Sequence, residues 1–133
     1  MGRVLGLDYG EKRIGVAVSD PLHITAQALA FIPNDEKAMD ALSALVFEYE
    51  VDKLVIGLPK NREGEDSKTA AYVRQFAKDI GAKLGLPIEF WDERYSTQAV
   101  ERHLIGADVS RKKRKQSVDS LAAQFILQGY MDL

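Results

Sequence analysis

Apolar residues fall in short runs along this chain, and the spacing inside each run separates strands from helices. Val4-Leu5-Gly6-Leu7 ends abruptly in Asp8, turns through Tyr9 and Gly10, and gives way to Ile14-Gly15-Val16-Ala17-Val18. Two such runs joined by a polar turn predict a β-hairpin with an acid at its lip. Ile24 to Ile32 predicts a third strand, closed by Pro33, with Asn34 or Asp35 available to cap a helix. Leu42, Leu45, Val46 and Tyr49 recur at the spacing of one helical face, so a helix from Glu36 to Tyr49 should lie against the sheet.

Lys53-Leu54-Val55-Ile56-Gly57-Leu58 is uniformly apolar after its lysine, the pattern of a strand buried on both faces. The polar stretch Lys60 to Asp66 predicts an exposed, mobile loop. A helix from about Ser67 carries Val73, Phe76, Ala77, Ile80 and Leu84 on one side and stops at Gly85, with Pro87 beyond. Ile88-Glu89-Phe90-Trp91 predicts a fifth strand with Trp91 in the core, ending in Asp92-Glu93-Arg94. Ser96 or Thr97 then caps a short helix with Val100 and Leu104 inward, ending near Gly106. A closing helix from Ser117 to Gly129 presents Val118, Leu121, Ala122, Phe125 and Ile126 to the sheet. Asp119 falls in its first turn, where a carboxylate complements the helix dipole. A three-strand meander followed by strand and helix alternation predicts one α/β domain over residues 1–133, a mixed five-stranded sheet with helices on both faces.

Composition narrows the chemistry. The 133 residues, 46% of them hydrophobic, suffice for one core. No run approaches a membrane span and the first residues lack a signal-peptide layout, so a cytoplasmic protein with no membrane partner is expected. Cysteine is absent, which excludes disulfides and thiolate catalysis. The only histidines, His23 and His103, are far apart in sequence. Any metal must therefore be held mainly by oxygen, which favours Mg2+ or Mn2+. Net charge is −2, yet Arg111-Lys112-Lys113-Arg114-Lys115 sets five cations side by side. Such a block is either a solvated loop or a contact for a phosphate backbone.

Acids stand at three element ends: Asp8 after the first strand, Asp92 or Glu93 after the fifth, and Asp119 on the closing helix. If the first, fourth and fifth strands are parallel neighbours, their carboxyl ends open on one edge, where α/β sheets place their sites. Close carboxylates cannot all ionise without a cation, so the arrangement suits a divalent-metal site for phosphodiester hydrolysis.

Four motifs carry a resemblance over nearly the whole chain. Leu5-Gly6-Leu7-Asp8-Tyr9-Gly10 with Arg13 to Ala17, Ile56-Gly57-Leu58-Pro59, Asp92-Glu93-Arg94-Tyr95-Ser96-Thr97, and Val118-Asp119-Ser120-Leu121-Ala122-Ala123 together resemble the YqgF/RuvX family. The resemblance implies an RNase H-like fold and a hydrolase, a cytoplasmic nuclease that processes the 5′ end of the small-subunit ribosomal RNA precursor. An older assignment for such proteins is resolution of Holliday junctions. It also implies that Asp8, Glu93 and Asp119 are the catalytic and metal-holding acids, which selects Glu93 over Asp92. RNase H-like resolvases usually carry a fourth acid near the third; here Ser120 to Ala123 supply none, leaving Asp20, Asp92 or a substrate phosphate to complete the shell.

The expected partner is nucleic acid, either structured or single-stranded RNA or branched DNA, bound by a monomer or a weak homodimer. Lys12, Arg13, Lys60, Arg62, Arg94 and the cations from Arg111 to Lys115 are its candidate contacts, with Arg94 equally suited to pairing with Glu93. Tyr9 and Tyr95 adjoin candidate acids, and their rings serve either packing or base stacking. A competing function is a nucleotide-binding ATPase module of the actin-like type, which also uses a glycine turn after an aspartate. Those enzymes clamp nucleotide between two such domains, and one fits in this length. A scaffold that binds nucleic acid without cutting it is the third alternative.

Overall fold

The computed structural model describes residues 2–60, 67–92 and 111–132, with side chains described outside 111–120. Five strands, β1 (Arg3–Tyr9), β2 (Arg13–Ser19), β3 (Ala26–Pro33), β4 (Val51–Leu58) and β5 (Ile88–Asp92), form one sheet in the order β3-β2-β1-β4-β5. β1 and β2 are antiparallel, as are β2 and β3, whereas β1 runs parallel to β4 and β4 to β5. Three described helices accompany it: α1 (Ala38–Glu48), α2 (Ala70–Leu84) and α3 (Arg111–Met131). The short helix expected near Val100 and Leu104, with His103, lies outside the described residues.

Strand alternation divides the core into two. Leu5, Leu7, Ile14, Val16, Val18, Leu54, Ile56 and Leu58 point to one face, where they meet α1 and α2. Val4, Ala17 and Val55 point to the other and meet Ala123, Ile126 and Leu127 of α3. β4 is thus buried on both faces, as its unbroken apolar run predicts. Each fully buried Leu or Ile contributes roughly 1.5–3 kcal/mol relative to exposure, so the two faces together drive collapse. Gly6 lets α3 lie close to β1, because a Cβ there would sit 2.8 Å from Leu127 Cβ and 3.1 Å from the Ala123 carbonyl oxygen.

Some boundaries depart from expectation. β3 starts at Ala26, and Ile24 is 60% exposed. The Asp20 carboxylate accepts hydrogen bonds from the backbone N–H groups of Ile24 (2.6 Å) and Thr25 (2.9 Å), drawing both into a turn. The same bonds, Thr25 foremost, hold the Asp20 carboxyl below its ordinary range. α1 begins at Ala38 without a side-chain cap on Lys37, since Asp35 accepts from the Lys37 N–H and Asn34 is engaged elsewhere. α2 closes as expected on Gly85, whose φ of 66° is left-handed.

The largest correction concerns α3, which already includes Arg111 to Gln116 ahead of Ser117. Arg and Lys are good helix formers, and their propensity outweighs the capping signal of Ser117. The basic block is therefore helical, not a loop, and Asp119 sits in the third turn, beyond the reach of the dipole effect assigned to it. The buried stripe is also rotated: Ala122, Ala123, Ile126 and Leu127 are buried, while Leu121 and Phe125 are half-exposed. Trp91 is half-buried, packed on Gly129 and edge-on to Tyr130 at 6.5 Å.

Candidate active site

The parallel strands β1, β4 and β5 end together. Leu7 is in register with Ile56, and Leu58 with Asp92, so the last residues of all three lie along one edge. Asp8 is the penultimate residue of β1, half-buried and paired with Gly15 of β2. Because Leu5 and Leu7 face α1 and α2, alternation turns Asp8 with Val4 and Gly6 to the face covered by α3.

The turn after Asp8 is built tightly. A Cβ on Gly10 would stand 2.5 Å from the Arg13 carbonyl oxygen. Asn34 braces the turn from outside: its Nδ2 donates to the Gly10 carbonyl at 2.7 Å, and its backbone N–H donates to the Lys12 carbonyl at 3.0 Å. Asn34 is a positioning residue that sequence reasoning assigned to helix capping. Its signal was ambiguous, because an asparagine after a proline serves either purpose.

The course of α3 decides what else reaches this edge. Gln128 Nε2 donates to the Ile24 carbonyl and its Oε1 accepts from Ala26 N–H, while Gln124 donates to the Ala26 carbonyl, all at 2.9 Å. Tyr130 meets Lys53 at the start of β4, and Ala123 and Leu127 cross Gly6. Followed backward, the helix axis runs from the amino ends of β1 and β4 toward their carboxyl ends. Position 119 lies one turn, about 6 Å, before Ala123, in the direction of the Asp8 edge. The side chain of Asp119 lies outside the described residues, as do Glu93, Arg94, Tyr95, Asn61 and Arg62.

The two acids considered as completing members are placed elsewhere. Asp20 follows β2 at the opposite edge of the sheet, bound to its own turn. Asp92 pairs with Leu58 and so projects to the α1 and α2 face, away from Asp8. Among the described residues no group of three potential ligands is assembled. The donor chemistry of the proposed set still fits a hard cation, since the described member is a half-buried carboxylate at a strand end.

Cations rim the turn. Lys12 is exposed; Arg13 starts β2 on the Asp8 face, with its guanidinium 5.2 Å from the Phe31 ring centroid. Lys60 is half-buried just after β4. Arg111 to Lys115 lie on α3, their side chains outside the described residues. Tyr9 packs on Phe76, with ring centroids 4.8 Å apart. His23 approaches the Gly2 carbonyl at 2.7 Å.

A family model described as "RuvX: Holliday junction resolvase" matches residues 2–133. The chain belongs to the RuvX family. This RuvX protein is thus a member of a nuclease family. It is 50% identical over 134 residues to a protein of Listeria monocytogenes, covering 98% of this chain and 97% of that one. It is 48% identical over 130 residues to a protein of Desulfitobacterium hafniense, covering 98% and 92%. Both relatives carry the provisional name pre-16S rRNA nuclease. The RuvX chain shares its fold with the fowlpox virus Holliday junction resolvase, at a TM-score of 0.56 and 14% identity over 98% of this chain and 97% of that one. It shares it also with Thermus thermophilus RuvC in complex with a Holliday junction, at 0.51 and 13% over 95% and 92%. The fold is RNase H-like, as the motifs imply. No helix among the described residues is long and apolar enough to cross a membrane.

Proposed function

We propose that this RuvX protein is a metal-dependent nuclease that cleaves phosphodiester bonds at the 5′ end of precursor 16S ribosomal RNA in the cytoplasm. The observation that carries this function is the placement of Asp8: at the carboxyl edge of the parallel strands, on the face along which α3 carries position 119 to the same edge. The names of the relatives at about half identity support precursor ribosomal RNA as the substrate.

Asp8, Glu93 and Asp119 are the proposed holders of Mg2+ or Mn2+. When bound, such an ion lowers the pKa of a water and stabilises the leaving oxygen. The chain's own part is positional. Asp8 is fixed by β1 and by the turn that Asn34 braces, so its carboxylate has little freedom to lose on engaging substrate. Lys12 and Arg13 on the rim, with the cations that open α3, supply attraction to a polyanion that does not depend on sequence.

The test is an assay of the purified protein with manganese against precursor ribosomal RNA, single-stranded RNA and four-way DNA junctions, beside Asp119→Asn. Cleavage of the precursor by the wild type, lost in Asp119→Asn, is expected. Preferential cutting of the junction would transfer the function to DNA recombination, in keeping with the family description.

A further inference from the structure

A cavity of about 430 Å³ opens beside the active-site turn, on the side of the sheet opposite Asp8. Tyr9, Gly10, Glu11, Pro59, Thr69 and Tyr72 line it. Its volume is in the range of small-ligand sites. Tyr9 forms the floor, one face of its ring supported by Phe76 at 4.8 Å. Tyr72 stands in the first turn of α2 and lines the cavity while 68% exposed.

The lining chooses between the parts of a nucleotide. Among the described residues it holds two phenol rings, Val73 and one carboxylate, Glu11, and no lysine or arginine. The Glu11 carboxylate opposes a phosphate beside it. A neutral base would find π-surface and an acceptor for its exocyclic amino group. The cations lie one residue outside: Lys12 follows Glu11, and Lys60 follows Pro59. That order sets the base inside and its flanking phosphates on the rim. Asp8 and Tyr9 are adjacent residues on opposite faces of β1, so a strand crossing the sheet edge puts a phosphate toward one and a base toward the other.

We propose that this cavity is a base-binding subsite of the nuclease, taking one unpaired base, with Tyr72 as the stacking platform. The proposal rests on the nuclease function given above and adds to it that the substrate is single-stranded at the position next to the cut. A base held in a duplex stack cannot enter.

Binding is measured with fluorescent RNA oligonucleotides in the absence of divalent metal, so that cleavage plays no part. The RNAs are a single strand, its duplex, and single strands made abasic at one position in turn. Tyr72→Ala, at an exposed position, is expected to keep the thermal midpoint and to bind the single strand roughly 5- to 150-fold more weakly. Duplex binding should stay within about twofold, since the stacked bases never reach Tyr72. In the wild type, one abasic position should reproduce that loss, and the same abasic strand should cost Tyr72→Ala nothing further. Tyr72→Phe should bind as the wild type. Equal single-strand affinity in Tyr72→Ala, an abasic loss that persists in that variant, or no single-strand binding by any form would overturn the subsite. Manganese-dependent cleavage assayed in parallel separates the two claims. Tyrosine-dependent binding without cleavage counts against the nuclease and leaves the subsite standing, whereas cleavage indifferent to Tyr72 does the reverse.

Discussion

Two carboxylates near strand ends occupy different places in this fold. Asp8 sits at a parallel-strand terminus on the α3 face, while Asp20 is spent on the N–H groups of its own turn. Asp8→Asn is expected to abolish metal-dependent cleavage and to leave the thermal midpoint unchanged or raised, because it removes one charge from the proposed acidic site. Retained activity in that variant takes Asp8 out of the mechanism. Asp20 gives a pH signature. Its folded pKa is depressed, so its contribution is present above the unfolded pKa and lost as pH falls through the folded value. Thermal midpoints followed from about pH 5 down to pH 2 should fall less for Asp20→Asn than for the wild type. Parallel curves would show that the turn contributes nothing to acid stability. At this scale the motifs nominate Asp8, Glu93 and Asp119 as site acids, whereas no local pattern points to the role of Asn34. Its role depends on the Gly10 carbonyl, twenty-four positions away.

Among the elements, α3 does the most to shape the molecule. The apolar stripe alone starts the helix at Ser117, whereas five strong helix formers precede it and are helical from Arg111. Setting five like charges on adjacent positions of a helix is unfavourable for the isolated chain, because they repel one another. A polyanion relieves that cost. Replacing Arg111 to Lys115 by glutamine should weaken RNA binding and reduce the slope of log affinity against log salt by up to about 0.7 per lost phosphate contact. A titration giving the wild-type slope would return the block to plain solvation. Only the fold turned Gln124 and Gln128 of α3 into bonds to the edge of β3. Lys53 at the other end shows the same dependence on assembly. Tyr130 first, then Glu89, hold its ammonium above the usual lysine range, anchoring the helix end.

On the scale of the whole molecule, the sheet separates two cores, and the two should fail differently. Leu42 is fully buried against α1's face of the sheet, and Leu127 is fully buried beneath α3. Each leucine-to-alanine change should cost roughly 2–5 kcal/mol by urea unfolding. At temperatures where both variants remain folded, Leu127→Ala should also lose kcat/KM, since its helix carries Asp119, while Leu42→Ala should not. Equal activity in the two would separate α3 packing from the site. The strand and helix order, the two-sided burial of β4 and the stop at Gly85 were all determined by local pattern, because apolar period and glycine conformational freedom act within a few residues. Which face Asp8 takes, the exclusion of Asp20 and Asp92 from its side and the direction of α3 were decided only by tertiary structure. Pairing register and helix crossing are set by contacts between segments far apart in the chain, and no local spacing encodes them.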